Sequence, residues 1–325
     1  MRTLVTGASG FIGRHLTATL LERGTPVRVT TRHPERLPSE WKGRVEVVAG
    51  SLTDRAMIKS ATQGVSLVFH LAGETQDAAS MKAVNADAAR ELARAAGATG
   101  AKRFVHLSSV GVIGADESGE VAEDAPCHPK NEYERTKLEG ERAVLDVARA
   151  GGFEVVVVRP TIVFGEGVMK ARDSLLEWMR AVQRGRFVFI GKKAVANYVY
   201  VGDVVEAMLK LSERPSPRGE IFHVADPAPI RDFVGAMADA LGVACPTRTV
   251  PVWAAYAVAA GMEAAHRLLG TPAPLTMSRV AALSSETVFS GRRLCEARGV
   301  APQVGFREGL RRTVRWYRET GGLAQ

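Results

Sequence analysis

A glycine-rich turn near the start of the chain constrains the fold more than any other feature. The segment LVTGASGFIGRHL places Gly7, Gly10 and Gly13 between a β-branched run and an amphipathic run, so a strand followed by a helix is expected. Glycines there permit a tight turn and close approach of the backbone to a pyrophosphate, and the helix N-terminus offers free N–H groups. The spacing is GxxGxxG rather than the usual GxGxxG. The turn indicates a dinucleotide site, with a purely structural turn as the alternative.

The first half of the chain alternates between two periodicities. Short apolar runs that predict strands are separated by patterns that predict helices. Near-continuous apolar strands separated by helices are typical of a parallel sheet covered on both faces. We therefore predict an α/β fold with a doubly wound parallel sheet. The predicted strands are 3–6, 27–30, 45–48, 67–70, 104–107 and 154–158, and the helices are 12–23, 55–62, 81–96 and 132–149.

The pattern changes after Arg159 and Pro160. A helix is predicted at 174–183, a returning strand at 198–201, a helix at 204–211 and a strand at 221–224. The last hundred residues are mainly helical in pattern, with breaks at prolines. We expect a dinucleotide-binding domain from 1–165 and 197–224. We expect a smaller, mostly helical substrate-binding lid from 166–196 and 225–325.

Composition narrows the functional classes. The 325 residues are 46% hydrophobic with a formal net charge of +8, and the three scattered cysteines give no disulfide framework or paired metal spacing. We expect no metal, a reducing cytoplasm and no signal peptide. The longest apolar run, 250–262, is shorter than the ~18–20 residues of a membrane span. Without a nucleic-acid motif, the charge is expected on a solvated helix face, with an anionic membrane surface or polyanion as the alternative.

The end of the second strand, VRVTTRHPERL, bears on the choice of cofactor. NAD-binding sites usually have Asp or Glu here to hold the ribose 2′-hydroxyl, and this chain has Thr31 and Arg32. A guanidinium can pair with a 2′-phosphate in a fork. We therefore predict NADP(H) as the preferred cofactor, with NAD(H) still possible. Arg14 and Arg36 are competing phosphate partners, and a plain surface arginine is the alternative for Arg32.

The stretch YERTK places Tyr133 and Lys137 four residues apart, on one face of a predicted helix. By itself the pair fits a tyrosine packed over an aliphatic lysine stem. In a chain rich in arginine, however, a lysine supplies a compact charge that can lower the pKa of a phenol. Ser108 and Ser109 end the fifth strand, where open α/β sheets bind ligands. The hydroxyls and the glycine turn are therefore expected to face one crevice.

These residues resemble the short-chain dehydrogenases/reductases in their extended form. The segments TGASGFIG, VFHLAG, AVNADAARELARAA, SSVGVIG, YERTK and VRPTIVFGEG occur in that family's order over essentially the whole chain. The resemblance implies catalytic roles for Ser109, Tyr133 and Lys137, with Asn85 ordering the site and Ser108 as a second donor. It also implies cofactor contacts from Gly7, Ser9, Gly10, Phe11, Ile12, Gly13, Arg32, Ser51, Leu52, Leu71, Ala72, Gly73, Tyr133, Lys137, Pro160 and Ile162.

One position departs from the family pattern. The family commonly has Asp-Leu after the third strand to hold adenine, and this chain has Ser51 and Leu52. The family's helices that match 81–96 and 132–149 commonly form a dimer bundle, so a homodimer is a further expectation.

The implied chemistry is hydride transfer between a nicotinamide and a carbonyl carbon. Tyr133 gives its proton to the oxygen while Ser109 donates a hydrogen bond to it. Residues 160–164 are largely apolar, and the later segments resemble the 3β-hydroxysteroid dehydrogenase and dihydroflavonol reductase branch. A reductase of a bulky apolar ketone or aldehyde is our first hypothesis. A nucleotide-sugar epimerase or dehydratase is the second, and a non-catalytic NADPH sensor is the third.

Three further features have two explanations each. The segment 251–269 is expected to pack on the lid, with a membrane interface as the alternative. Asp203 is expected to cap a helix rather than act in catalysis. Glu74 either faces the substrate or is a solvated loop residue.

Overall fold

The computed structural model describes residues 2–114, 119–151, 153–167, 173–213, 219–270 and 275–324. Seven strands form one sheet in which every neighbouring pair is parallel. The strands are β1 (Arg2–Thr6), β2 (Val27–Thr31), β3 (Val45–Ala49), β4 (Val65–His70), β5 (Arg103–Leu107), β6 (Glu154–Pro160) and β7 (Glu220–Val224). Their order is β3-β2-β1-β4-β5-β6-β7. The order reverses at β1, where the glycine turn lies, and ligands bind at such a switch point.

Eleven helices of seven or more residues are seen in the described part of the chain. They are α1 (Phe11–Glu22), α2 (Arg55–Thr62), α3 (Ala88–Ala98), α4 (Glu132–Gly151), α5 (Ser174–Gln183), α6 (Val201–Glu213), α7 (Ile230–Leu241), α8 (Val252–Leu269), α9 (Met277–Ser284), α10 (Arg292–Arg298) and α11 (Gly305–Glu319). Short 3-10 turns occur at Pro34–Arg36, Ser39–Trp41 and Val110–Ile113.

The helix predicted at 81–96 is interrupted. It begins with a short α-helical turn, Ala78–Met81, continues as a π-helical segment, Lys82–Asp87, and then becomes α3. Helix α4 packs directly on the π-helical segment, because a Cβ on Gly140 would lie 2.0 Å from the backbone oxygen of Asn85. π-helical turns inside helices are often found at functional sites.

Hydrophobic residues from both faces of the sheet form two large clusters. One lies between the sheet and helices α1 and α6, and the other between the sheet and helices α2, α3 and α4. A third large cluster packs α5, α7 and α11 around Phe233. Short strands Ile162–Phe164 and Tyr198–Tyr200 pair beside it. The α/β fold with a doubly wound parallel sheet and a helical C-terminal part is confirmed, while the division into two domains stays a prediction.

The contacts of Asp203 differ from the prediction that it caps its own helix. It lies in the first turn of α6, and its carboxylate accepts hydrogen bonds from the backbone N–H groups of Gln303, Val304 and Gly305. The buried carboxylate therefore holds the start of α11, a hundred residues away. Within the described ranges, no helix is both long enough and apolar enough to cross a bilayer.

Candidate active site

The glycine turn joins β1 to α1 with very little space around it. Gly7 has a φ of +73°, and a Cβ there would lie 2.6 Å from the backbone nitrogen of Ala72. A Cβ on Gly13 would lie 2.1 Å from the oxygen of Gly7. Larger residues would therefore displace the backbone at both positions. Gly10 precedes α1, and no side chain in the described part of the chain caps this helix, so its first N–H groups remain available to an anion.

A cleft of about 240 Å³ opens in front of this turn. Nine of the predicted cofactor residues line it: Gly7, Ser9, Gly10, Arg32, Ser51, Leu52, Leu71, Ala72 and Gly73. Seven further residues complete the lining: Thr30, Thr31, His33, Arg36, Gly50, Glu74 and Val84. Thr30 and Gly50 lie at the carboxyl ends of β2 and β3, so the rule that ligands bind at strand ends could have predicted them as lining residues. Val84 lies there only because the π-helical segment approaches the cleft, and no local pattern signals that approach.

The arginines around the cleft have different partners. Arg14 donates to the backbone oxygens of Ser9 and Arg36, at 3.1 Å each, and so ties the glycine turn to the loop after β2. Thr31 accepts the N–H of His33 through its hydroxyl. Arg32 and Arg36 are exposed at the cleft. Because Arg14 is engaged with the backbone, Arg32 and Arg36 are the better placed to reach a phosphate.

Glu74 lines the cleft and follows β4 in the chain. Its carboxylate accepts the backbone N–H groups of Thr75 and Gln76, each at 2.9 Å. The hydrogen bond from Gln76 is the largest of several influences that lower the pKa of Glu74, and the charge of Arg32 contributes. The carboxylate is therefore ionised and engaged in its own turn, which favours a loop-ordering role.

Asn85 links this loop to helix α4. Its side-chain oxygen accepts the N–H of Glu74 at 2.7 Å, and its amide nitrogen donates to the oxygen of Glu74 and to the hydroxyl of Thr136, at 3.0 Å each. Asn85 is 1% exposed, so this geometry is fixed by packing. Thr136 was not among the predicted site residues. The position of Thr136 beside Lys137 in YERTK does not indicate its hydrogen bond with Asn85.

Lys137 is buried, and its ammonium lies at the carboxyl end of β5. It donates to the backbone oxygen of Leu107 at 2.5 Å. Burial lowers the pKa of Lys137 to about 8, although the charge of Glu141 opposes the shift. His70 and His106 are buried, and burial together with the Lys137 charge lowers the pKa of both. The histidines are therefore neutral, and the ammonium is the positive charge of this pocket.

Ser109 and Tyr133 lie on adjoining elements. The hydroxyl of Ser109 accepts the N–H of Gly111 at 3.1 Å. A Cβ on Gly111 would lie 3.3 Å from both that hydroxyl and the side chain of Glu134, so the serine adjoins the first turn of α4. Ser108 is 4% exposed, and its hydroxyl has no hydrogen-bond partner among the described residues. The two serines, the YERTK turn and Asn85 therefore converge at the end of β5.

The pKa of Tyr133 departs from the sequence-based expectation. Burial first, and then the charge of Glu134, raise it. We expected the Lys137 charge to lower it, but the ammonium is directed to Leu107. A tyrosine with a raised pKa is protonated at neutral pH, so it can act as a proton donor, although it is a weaker acid than a free tyrosine.

Four of the predicted cofactor residues lie outside the cleft. Phe11 and Ile12 begin α1, and Pro160 is the last residue of β6. Ile162 is 54% exposed although it is apolar, at the start of a short strand directly after β6. None of these four residues lines the cleft beside the glycine turn.

The arrangement combines a glycine-rich turn at a helix N-terminus with a tyrosine, a serine hydroxyl and a buried ammonium near the carboxyl ends of parallel strands. A family model described as "NAD dependent epimerase/dehydratase family" matches residues 3–225. The chain belongs to this family. The predicted resemblance is thereby confirmed.

Curated proteins that are similar to this chain include reductases and dehydrogenases. The 4-hydroxy-2-methyl-3-oxo-4-farnesyl-3,4-dihydroquinoline-1-oxide ketoreductase of Stigmatella aurantiaca is 29% identical over 325 residues, covering 95% of each chain. The 3 beta-hydroxysteroid dehydrogenase/Delta 5-->4-isomerase of Mycobacterium tuberculosis is 30% identical, covering 84% of this chain and 78% of its own.

A solved structure is similar to this chain over nearly its whole length. The UDP-glucose 4-epimerase of Thermus thermophilus, in complex with NAD, superposes with a TM-score of 0.71 at 26% identity. The superposition covers 98% of this chain and 99% of the epimerase. The protein is accordingly an NAD(P)-dependent enzyme of the extended short-chain dehydrogenase/reductase type, with a nucleotide cofactor.

Proposed function

We propose that the protein is an NADP(H)-dependent oxidoreductase that interconverts a carbonyl and an alcohol on a bulky, largely apolar small molecule. The observation that supports the proposal is that Ser109 adjoins the first turn of α4, which carries Tyr133, while the ammonium of Lys137 reaches the end of β5. The glycine turn and the cleft fit a dinucleotide, since Gly7 and Gly13 leave no room for a Cβ. When bound, the nicotinamide supplies or accepts a hydride.

Each side chain has a distinct task in the proposed reaction. Tyr133 gives its proton to the carbonyl oxygen, and burial and Glu134 keep it protonated for that step. Ser109 donates a hydrogen bond to the same oxygen where negative charge develops. Lys137 holds the nicotinamide ribose through its ammonium. Asn85 positions the loop at Glu74 against α4 through Thr136.

The apolar substrate is supported by the segment after β6. Residues 160–164 are apolar apart from Thr161, and Ile162 exposes 54% of its surface. Each CH₂ buried there contributes about 0.8 kcal/mol. The names of the Stigmatella ketoreductase and the mycobacterial dehydrogenase both describe bulky, mostly apolar substrates.

The preference for NADP(H) is supported by Arg32, with Arg36 nearby. Both line the cleft at the end of β2, where Thr31 stands in place of a carboxylate. We expect Arg32→Ala to raise the KM for NADPH by about 10- to 100-fold, the loss of one or two charge-assisted hydrogen bonds, without changing the KM for NADH. Arg44→Ala is the matched control, because Arg44 is exposed and does not line the cleft. Equal losses with both cofactors would contradict the preference.

The function is tested by following NADPH fluorescence with panels of steroids, flavonoids, aliphatic ketones and aldehydes, with NADH in parallel. Turnover of an apolar carbonyl by the wild-type protein is expected. The alternative, a nucleotide-sugar epimerase, is favoured by the similarity to the Thermus enzyme. It predicts tightly retained cofactor, saturable binding of UDP-sugars and no net NADPH consumption. That outcome would replace the proposed function.

A further inference from the structure

One surface of the C-terminal part is unusually apolar. Seven large hydrophobic residues are exposed in the described part of the chain, and five of them belong to one region. They lie on α8, at the start of α9 and in the loop that precedes the short strand Phe189–Ile190, and we call this surface the lid face. Its large members are Val188 (37% exposed), Trp253 (75%), Val258 (51%), Leu268 (83%) and Met277 (40%). Single exposed apolar residues are common, but a cluster marks an interaction surface.

Helix α8 has a continuous apolar stripe facing outward. The residues Trp253, Ala257, Ala260, Gly261, Ala264 and Leu268 repeat at helical spacing, and all are exposed. The opposite side carries Ala255 and Ala259, which are buried against Ile190 and Val280. The first eleven residues of the helix, 252–262, contain no charged residue. The packing expected for 251–269 thus accounts for one side of the helix and leaves the other uncovered.

Basic side chains lie beside the lid face. Lys192 and Lys193 are exposed in the turn after Phe189–Ile190. This turn touches the start of α8, because a Cβ on Gly191 would lie 2.9 Å from Val252. Neither lysine is in an ion pair within the ranges that the structure describes. Arg186 and Arg248 are also exposed near Val188, and Phe189 donates to the backbone oxygen of Arg248.

Two acidic groups in this region, Glu263 and Glu177, are already engaged. Glu263 pairs with Arg267 at 3.6 Å and accepts the N–H of Met277. Glu177 pairs with Arg279 at 3.7 Å. The excess charge beside the apolar stripe is therefore positive, as it is for the whole chain, which has a formal net charge of +8.

We propose that the lid face docks on a bilayer that contains anionic lipids, with α8 lying in the interface. A helix with an outward apolar stripe, a tryptophan near one end and adjacent lysines has the features of interfacial binding. A second copy of the chain would bring the same lysine pair and the same net positive charge, whereas anionic headgroups are complementary to both. The inference does not depend on the proposed reaction.

The proposal is tested by flotation of the full chain with vesicles of phosphatidylcholine, with and without phosphatidylglycerol. The wild-type protein is expected to float with the anionic vesicles, with a blue shift of tryptophan emission. The double variant Trp253→Ser/Leu268→Ser should bind them at least about ten-fold more weakly, because two apolar side chains that would insert into the bilayer are lost. The matched control is Val47→Ser, since Val47 is 41% exposed on β3, outside the lid face. It should bind like the wild type.

A second variant tests the electrostatic part. Lys192→Gln/Lys193→Gln should lose the preference for phosphatidylglycerol while keeping the fold, as judged by circular dichroism. Light scattering after size-exclusion chromatography reports the oligomeric state of each variant. Failure of the wild-type protein to float with anionic vesicles would overturn the proposal. So would a wild-type oligomer that the Trp253→Ser/Leu268→Ser variant dissociates, which would assign the lid face to a second copy.

Discussion

At the scale of single residues, the buried ammonium of Lys137 has a consequence for stability. Burial lowers its pKa to about 8 from an ordinary value of 10.5. Between these two values the unfolded chain binds more protons than the folded chain, so the free energy of unfolding rises with pH there. Below pH 8 both states are protonated, and burial of the charge costs at most about 3 kcal/mol.

We therefore predict a pH-dependent difference between the wild-type protein and Lys137→Met. The wild type should gain stability relative to the variant as pH rises from 8 towards 10.5, because the variant has no proton to release. Chemical denaturation at several pH values measures this difference. Lys210→Met is the control, because that side chain is 43% exposed, and it should show no such trend. A constant difference for Lys137→Met would contradict the prediction.

The sequence was informative about residues whose role follows from position along a strand. Gly7 and Gly10 after β1 and Arg32 after β2 line the cleft, because the carboxyl end of a strand defines the site, whereas Gly13 does not line it. The environment of Tyr133 was not predictable. Its pKa depends on burial and on Glu134, and the Lys137 ammonium is directed to a backbone oxygen on another element. Those contacts arise only when α4 packs against β5.

At the scale of elements, the contact between α4 and the π-helical segment Lys82–Asp87 is tight. A Cβ on Gly140 would meet the backbone oxygen of Asn85 at 2.0 Å. In a solvent-exposed helix, replacing Gly by Ala stabilises the protein by about 1 kcal/mol. We predict that Gly140→Ala instead destabilises the protein by about 1–3 kcal/mol, because α4 must shift.

Gly261→Ala provides the matched comparison. Gly261 is in the exposed face of α8, and a Cβ there would meet nothing within 4 Å. Urea denaturation should show a gain of about 1 kcal/mol for this variant and a loss for Gly140→Ala. If both substitutions stabilise the protein, the close packing of α4 on the π-helical segment is wrong.

The long, regular elements could be predicted from the sequence. The six predicted strands of the first half, and the strand at 221–224, correspond to the seven strands of the sheet within a few residues. The π-helical segment was not predicted, since its residues fit an ordinary helical period. The short strands Gly119–Val121 and Thr287–Phe289 were also missed, because they pair over more than 160 residues and carry no local alternation.

At the scale of the whole molecule, three buried histidines determine the response to acid. Burial lowers the pKa of His70 and His223 to about 3 and that of His106 well below its ordinary value. The unfolded chain takes up protons near pH 6.5 and the folded chain does not. The free energy of unfolding therefore falls as pH decreases from about 6.5, by about 1.4 kcal/mol per pH unit for each histidine.

We predict that His106→Leu makes the protein less sensitive to acid. Neither ring nitrogen of His106 has a hydrogen-bond partner among the described residues, so the substitution removes a proton-binding group without breaking a bond. Urea denaturation at pH 6 and pH 5 should give a slope lower by about 1.4 kcal/mol per pH unit than the wild type. His33→Leu serves as the control, because His33 is 47% exposed at the side chain, and its slope should equal that of the wild type. An unchanged slope for His106→Leu would contradict the assignment of a neutral buried imidazole.

Long-range contacts explain what the sequence could not indicate about the whole chain. Asp203 stands near the start of a predicted helix, where an N-cap is expected, yet its carboxylate accepts hydrogen bonds from N–H groups a hundred residues later. The outward stripe of α8 has the apolar composition of a packed helix, and only the three-dimensional structure shows which side is covered.

The most direct test of the proposed enzyme is the rate of Tyr133→Phe with NADPH and a carbonyl substrate identified in the screen. We predict that kcat falls by about 10²–10⁴-fold, because the proton donor is lost, while NADPH binding and thermal stability stay close to those of the wild type. Tyr256→Phe, on α8, controls for the loss of a hydroxyl elsewhere. A Tyr133→Phe protein that turns over as fast as the wild type would contradict the role given to this tyrosine and, with it, the proposed mechanism.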